Sequence, residues 1–159
     1  MKLRLASLLL LSLGMVACEC SDTEEATTSS NGNMIDVSGP TPGTAADFVT
    51  HVEDRVLFAF DRYQLTPEDR MLLEKQAVWL LKYPTTMIEV AGYCDARGTV
   101  EYNDKLGQHR ADASRDYLVS LGVDASRIST ISHGKRIVLV PGDTEEAYAH
   151  NRAAITVVK

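Results

Sequence analysis

Apolar and polar positions follow two different periods along the last two thirds of the chain. Short aliphatic and β-branched runs predict four strands, at residues 55–60, 87–91, 128–132 and 154–158. Between them, apolar residues recur every three or four positions, which is the period of an amphipathic helix. Strands that alternate with such helices predict an α+β domain of two layers, with helices packed on one face of a mixed four-stranded sheet.

Helix start and stop signals agree with this period. The first predicted helix follows Thr66 as its N-cap and ends before Pro84. The second is long and ends near Leu121, where Gly122 is suited to terminate it. A short third helix is predicted at 145–149. Each predicted helix therefore lies between two predicted strands.

One stripe of the long helix is expected to face the sheet, because its residues recur at helical spacing. The stripe comprises Leu106, Arg110, Ala113, Tyr117 and Leu121. Arg110 is its one charged residue, and a buried guanidinium requires a partner because an unpaired charge is costly to desolvate. Asp95 directly follows the second strand, at the corner where the long helix begins, and is the expected partner.

The Asp95–Arg110 pair has two interpretations. It is either an ion pair that pins the loop to the helix, or an open pocket for a zwitterionic amino-acid end group. In the second case the aspartate would receive an ammonium, and the arginine would take a carboxylate in its bidentate fork. Spacing alone favours the structural ion pair.

The beginning of the chain has a different pattern. Lys2 and Arg4 precede an apolar run over 5–16, which is shorter than the ~20 residues of a membrane-spanning helix. A basic start, a short apolar run and a small residue before Cys18 predict a signal peptide over residues 1–17.

The segment 15–18, Met-Val-Ala-Cys, resembles a bacterial lipobox and predicts acylation of Cys18. The alternative is an ordinary signal peptide that is cut near Ala17. Residues 18–46 are rich in Ser, Thr, Gly, Pro and acids, and predict a lipidated N-terminus followed by a disordered tether. The folded domain is then expected over 47–159.

Charge and composition narrow the possible functions. The net charge of −6 argues against a nucleic-acid binder and against electrostatic adsorption to anionic lipid, so membrane attachment would depend on acyl chains. Cys20 and Cys94 are compatible with pairing, but their spacing does not require it, and a free Cys94 is the default. The four histidines lie in different elements, so no metal site or cofactor is expected.

Residues 92–103, Gly-Tyr-Cys-Asp-Ala-Arg-Gly-Thr-Val-Glu-Tyr-Asn, resemble the loop-and-helix signature of OmpA-like peptidoglycan-binding domains. The resemblance spans nearly all of 55–158. Further matching positions are 56–61, Leu106, Gly107, Arg110, Ala111, 117–124, 132–135, 140–142 and 151–152. The resemblance implies a βαβαβ(αβ) domain that binds diaminopimelate in peptidoglycan stem peptides and catalyses no reaction.

Carried across by position, the resemblance also implies a set of binding residues. They are Asp95, Arg110, Phe60, Asp61, Thr99 and Leu106. Asp95 would hold the amine of diaminopimelate and Arg110 its carboxylate, with Phe60 and Asp61 lining the pocket. Thr99 is alternatively an N-cap and Leu106 a core residue.

The resemblance and the lipidation motif together imply a periplasm-facing protein anchored in the outer membrane. Its implied partners are peptidoglycan and the Tol system, notably TolB, in support of envelope integrity and cell division. Residues 136–138 depart from the charged, proline-bearing loop of the family, which makes the partner surface less defined than the ligand site. The alternatives are a stator-like or barrel-attached member of the superfamily, and a periplasmic enzyme that acts on wall fragments.

Overall fold

The computed structural model describes residues 39–159 of the chain. The predicted signal peptide, the acylation site at Cys18 and most of the predicted tether lie outside the described residues. Within 39–159, every helix is too short or too polar to cross a membrane.

Helices and strands alternate along the described residues much as predicted. The helices are α1 (Ala45–His51), α2 (Pro67–Lys82), α3 (Val100–Ser120) and α4 (Glu145–Asn151), with a 3-10 turn at Ala125–Arg127. The strands are β1 (Arg55–Leu57), β2 (Ile88–Tyr93), β3 (Ile128–Gly134) and β4 (Ala153–Val158).

The four strands form one mixed sheet in the order β1-β4-β2-β3. Strands β2 and β3 run parallel, whereas β4 is antiparallel to both of its neighbours. Val90, in the centre of β2, pairs with Thr130 on one side and with Thr156 on the other. The predicted α+β fold with a mixed four-stranded sheet is confirmed.

The first strand is shorter than predicted. It ends at Leu57 instead of residue 60, because its partner β4 begins at Ala153, directly opposite Leu57. One further bond, from the Phe58 amide to the Arg152 carbonyl at 2.8 Å, follows the last ladder pair. The chain then turns, and Asp61 adopts a left-handed backbone conformation with φ +55°.

The predicted caps of the two long helices are confirmed. Thr66 and Asp69 form a reciprocal capping box at the start of α2, with Pro67 in the first turn. Gly122, with φ +99°, follows the end of α3 in the left-handed region that favours glycine.

Helix α1 was not predicted from the sequence, and the predicted domain boundary at residue 47 falls inside it. Phe48 packs edge-on against Trp79 of α2, with ring centroids 4.9 Å apart. The Trp79 indole donates to the buried Asp47 carboxylate at 2.9 Å. These contacts attach α1 to the main hydrophobic core, which compensates for the low intrinsic stability of a helix of seven residues.

The stripe of α3 that faces the sheet differs from the prediction. Leu106 and Arg110 are buried as expected, but Ala113, Tyr117 and Leu121 are only partly buried. The Tyr117 hydroxyl instead donates to Glu74 of α2 at 3.0 Å. The buried face of α3 consists of Asn103, Leu106, Gly107, Arg110, Ala111, Ser114 and Leu118.

Two glycines set the close approach of α3 to β2. A Cβ atom added at Gly92 would collide with the backbone carbonyl of Gly107, and one added at Gly107 would collide with the Ser132 side chain. Close helix–sheet packing at this point therefore requires residues without side chains. The pair lies beside the end of β2, where the chain leaves the sheet towards the candidate site.

We expect Gly92→Ala to destabilise the protein by about 1–3 kcal/mol, because the new methyl group meets a backbone atom that cannot move independently of its helix. Urea denaturation measures the change. Gly39→Ala is the matched control, since a Cβ atom there meets nothing within 4 Å. Equal stability of the two variants would contradict the close contact.

Candidate functional site

A small pocket lies where the end of β2, the start of α3 and the β1–α2 loop meet. Its volume is about 90 Å³. It is lined by Phe60, Asp61, Cys94, Asp95, Arg97, Gly98, Tyr102, Asn103, Leu106 and Arg110. The structure thus brings together five of the six residues that the resemblance implied. Thr99 is not among the lining residues, and its hydroxyl instead caps α3 by accepting from the Tyr102 amide at 3.2 Å.

The loop 94–99 that forms one wall is held by side chains from two other elements. Asn103 of α3 donates to the carbonyls of Arg97 and Thr99 at 2.7 and 2.8 Å. The Lys135 ammonium donates to two further carbonyls of the same loop, at 2.7 and 2.6 Å. Because the loop is bonded from both sides, the pocket is preformed without a ligand.

Arg110 is almost fully buried, with 1% of its surface exposed. Its Nε donates to the Arg62 carbonyl at 2.9 Å, and its Nη1 donates to the Tyr93 carbonyl at 2.8 Å and to the Cys94 thiol at 3.4 Å. Burial lowers the pKa of the guanidinium, although Cys94 and Asp95 nearby partly offset that effect. Among residues 39–159, no carboxylate lies within 4.0 Å of it.

The predicted ion pair between Asp95 and Arg110 is therefore wrong. Three carbonyls of the surrounding loops satisfy the guanidinium in place of a carboxylate, and the positive charge itself is not neutralised by a direct partner. Nη2 makes one long contact, to the Ala59 carbonyl at 3.4 Å. A guanidinium has five N–H donors, and four of them have partners here, so one N–H of Nη2 is left without a partner among the described residues.

Asp95 finds its partners elsewhere. Its carboxylate pairs with Arg97 at 2.6 Å and with Arg152 at 3.5 Å, and only 5% of the residue is exposed. Burial by itself raises the pKa of this carboxyl, but hydrogen bonds from the Arg97 side chain and backbone and from Arg152 bring the pKa below its usual value. Asp95 is therefore a carboxylate at neutral pH, and both of its oxygens already accept hydrogen bonds from arginines.

Sequence reasoning did not identify Arg152 as part of the site. Its guanidinium is buried, and it donates to the Phe58 carbonyl at 2.9 Å and to Glu145 at 2.8 Å. It thereby joins the end of β1 to the acidic side of the pocket. The available signal was the Asn151–Arg152 pair, which belongs to the pattern of the resemblance.

Arg97 covers the edge of the pocket. Its guanidinium lies between two aromatic rings, 4.2 Å from the centroid of Phe60 and 4.5 Å from that of Tyr148. It also approaches Glu145 at 3.3 Å. A ligand ammonium that reaches Asp95 must therefore share the carboxylate with Arg97.

The second acid of the pocket, Asp61, is exposed and accepts a hydrogen bond from the Tyr102 hydroxyl. Cys94 is buried beside Arg110, and burial raises its pKa to about 11. A thiol with that pKa is protonated at neutral pH and is not a nucleophile. In the described part of the chain, no cluster of three or more acidic, histidine or cysteine side chains is arranged to hold a metal ion.

Comparison with known proteins shows which sequences this chain resembles. The chain matches the model of the OmpA family over residues 57–152. It is 39% identical over 139 residues to the peptidoglycan-associated lipoprotein of Rhizobium meliloti (strain 1021), covering 87% of this chain and 79% of that protein. It is 44% identical over 118 residues to the protein of the same name from Agrobacterium fabrum, covering 74% and 67%.

Solved structures are similar to this chain in fold. The crystal structure of the peptidoglycan-associated lipoprotein from Burkholderia pseudomallei superimposes with a TM-score of 0.66 at 37% identity, over 67% of this chain and 91% of that one. The C-terminal domain of Helicobacter pylori MotB superimposes with a TM-score of 0.59 at 21% identity, over 65% and 84%, and so shares the fold.

We expect Asp95→Asn to lower stability most strongly near pH 7. The pKa of the Asp95 carboxyl is lower in the folded state than in the unfolded state, where it is about 3.9. The carboxylate therefore contributes to the free energy of unfolding above about pH 4, and this contribution is lost as the pH falls through the pKa of the folded state. The difference in unfolding free energy between wild type and variant should therefore shrink below pH 4. Urea denaturation between pH 3 and 7 measures it.

Asp116→Asn is the control for this pH series. The Asp116 side chain is 66% exposed and pairs only with its neighbour Arg115 among the described residues, so its replacement should change stability by less than about 0.5 kcal/mol. A difference for Asp95→Asn that stayed constant from pH 7 to 3 would contradict the ion pairing.

Proposed function

The chain belongs to the OmpA family, and we propose that it is a lipid-anchored envelope protein whose pocket binds diaminopimelate in peptidoglycan stem peptides. It would thereby tether the outer membrane to the cell wall without catalysing a reaction. The observation that carries this proposal is the buried Arg110 guanidinium, which lines the pocket and has no carboxylate within 4.0 Å among residues 39–159.

The free end of diaminopimelate has an ammonium and a carboxylate on one carbon atom. In the proposed complex the carboxylate accepts from Arg110, and the ammonium lies towards Asp95 and Asp61. The two acids and the base line the same cavity, so one small end group can reach both signs of charge. Hydrogen bonds to charged groups contribute about 1.5–3 kcal/mol each, so charge complementarity is the main source of affinity.

Preorganisation supports the same proposal. The Arg110 side chain is already fixed by bonds to three loop carbonyls, and the loop around Asp95 is fixed by Asn103 and Lys135. The entropy of ordering these groups is therefore lost on folding and not on binding. The small volume, about 90 Å³, is suited to a short end group.

We propose no catalytic role for this pocket. A general acid for cleavage of a wall polymer needs a carboxyl with a raised pKa, whereas the pKa of Asp95 is lowered by its arginine partners. Cys94, the thiol in the pocket, has a pKa of about 11 and is buried. The enzymatic alternative raised from the sequence therefore finds no support in Asp95 or in Cys94.

The anchoring and partner assignments extend the proposal beyond the described residues. Acyl chains on Cys18 would hold the protein in the outer membrane with its domain in the periplasm. Its protein partners would be those of the Tol system, notably TolB, and its roles envelope integrity and cell division. Support comes from the lipobox-like segment 15–18 and from relatives that are named peptidoglycan-associated lipoproteins. A wall anchor outside the Tol system would bind stem peptides but not TolB.

The ligand assignment is tested with two stem peptides that contain either diaminopimelate or lysine. Lysine lacks only the terminal carboxylate, so the comparison removes the proposed partner of Arg110. We expect the lysine peptide to bind the detergent-purified protein at least about tenfold more weakly in calorimetric titration. Equal affinity of the two peptides would remove Arg110 from the site.

Arg110→Lys keeps the positive charge but loses the planar guanidinium that can donate two parallel hydrogen bonds to a carboxylate. The variant should therefore bind both peptides similarly. Arg70→Lys, on the exposed side of α2, is the control and should discriminate like the wild type. Thermal melting identifies loss of folding in the Arg110 variant. Asp61→Asn provides a second variant that is exposed and therefore compatible with the fold, and it should weaken binding of the diaminopimelate peptide.

The anchor is tested by Cys18→Ser, which removes the proposed acylation site. We expect the variant to move from the membrane fraction to the soluble fraction after cell lysis, because the acyl chains provide the membrane affinity. Cys20→Ser is the matched control and should stay in the membrane fraction. Membrane retention of the Cys18 variant would show that another feature attaches the protein.

A further inference from the structure

A second, shallower pocket adjoins the first. It has a volume of about 260 Å³ and is lined by Asp61, Tyr63, Tyr102, Lys105, Leu106 and His109. Three of these residues, Asp61, Tyr102 and Leu106, also line the first pocket. The two pockets are therefore neighbouring parts of one surface depression, and a ligand held in the first can extend into the second.

The second pocket follows one face of α3. Tyr102, Lys105 and His109 are spaced at three and four residues, so their side chains share that face. With a rise of 1.5 Å per residue, the face extends ~10 Å from Tyr102 to His109. Tyr63 of the β1–α2 loop packs on the His109 ring, with centroids 5.2 Å apart, and so forms the opposite wall.

The charge of this pocket differs from that of the chain as a whole. The protein carries a net charge of −6, yet the exposed ammonium of Lys105 has no carboxylate within 4.0 Å among the described residues. His109 adds an exposed ring that can donate a hydrogen bond. Asp61, the acid at the boundary of the two pockets, is engaged by the Tyr102 hydroxyl. Lys105 is therefore available to an external anion.

We propose that the second pocket binds a further carboxylate of the same stem peptide, through Lys105 with His109 beside it. This inference rests on the proposed function, because it takes the diaminopimelate end group as fixed in the first pocket. Two residues adjacent to diaminopimelate can supply the carboxylate. The preceding D-glutamate is joined through its side chain and keeps a free α-carboxylate, and a terminal D-alanine has a free C-terminal one.

The length of the peptide chain allows either source. One extended residue spans about 3.3–3.6 Å, so a neighbour of diaminopimelate reaches along the ~10 Å face of α3. A lysine ammonium acts as a flexible point charge and not as a geometric fork, which matches a site that lies at the surface. Lys105 thus contributes selectivity for stem peptides whose carboxylate next to diaminopimelate is free and not amidated.

The test compares three tetrapeptides in calorimetric titration of the detergent-purified protein. One is unmodified, one has the D-glutamate α-carboxylate converted to an amide, and one has the D-alanine terminus converted to an amide. We expect one of the two amides to bind roughly two- to fivefold more weakly than the unmodified peptide, which identifies the source of the carboxylate. Higher salt should reduce that difference.

Lys105→Gln should bind the unmodified peptide as weakly as the wild type binds the amide that it disfavours. The variant should therefore bind the unmodified peptide and that amide equally. Lys75→Gln is the matched control, since Lys75 is an exposed lysine of α2 that lines a different groove, and its replacement changes the net charge equally. It should discriminate like the wild type.

The possible outcomes separate the two proposals. If none of the three peptides binds, the proposed function fails. If all three bind the wild type equally, the first pocket stands and the second is not a carboxylate site. If an amide binds more weakly but Lys105→Gln discriminates as the wild type does, Lys105 is not the recognising group and the inference is overturned.

Discussion

The burial of Arg110 connects the fold of this domain to its chemistry. The guanidinium joins α3 to the β1–α2 loop through the carbonyls of Ala59 and Arg62, and to the end of β2 through that of Tyr93. The carbonyl groups accept hydrogen bonds from the guanidinium without neutralising its charge. They offset the free-energy cost of removing Arg110 from water, and the side chain stays positively charged. The same contacts that hold three segments together therefore place an arginine without a carboxylate partner within 4.0 Å, among the described residues, in the wall of the pocket.

On the acidic side of the pocket, the charged group has direct partners of opposite charge. Asp95 is charge-paired twice, with Arg97 and Arg152, and its position depends on them. Arg97 is itself held between two aromatic rings, whereas Arg152 is anchored to the end of β1. The side of the pocket formed by Arg110 thus has a positive charge without a direct partner, whereas the charges on the Asp95 side balance one another. In the proposed complex, the anion of the zwitterion would meet Arg110 directly, and its cation would join the existing network around Asp95.

Much of the fold was predictable because local signals agreed with the global arrangement. The capping residues Thr66 and Gly122 marked helix ends correctly, and the four strands were found at the right places. Helix α1 was missed because seven residues carry too weak a pattern, and its stability depends on contacts with Trp79. Strand β1 was predicted too long because the pattern of its residues does not reveal where its partner β4 begins.

The sequence predicted which residues line the site, but it did not predict the hydrogen bonds and ion pairs that they form. The resemblance identified five residues that line one cavity, but it did not show that backbone carbonyls would bind Arg110 in place of Asp95. Carbonyl positions depend on loop conformation, which side-chain spacing does not encode. Arg152 was overlooked as a partner of Asp95 for a related reason, since 57 positions separate the two residues along the chain.

The contact between Gly92 and Gly107 has a kinetic consequence. Because helix and strand meet there backbone to backbone, the two walls that carry Tyr93 and Arg110 are held closely together. For the proposed ligand, association would then require no opening step and would be limited by diffusion and orientation. The lifetime of the proposed complex would depend on rupture of its charged contacts, so attachment could be renewed without remodelling of the domain.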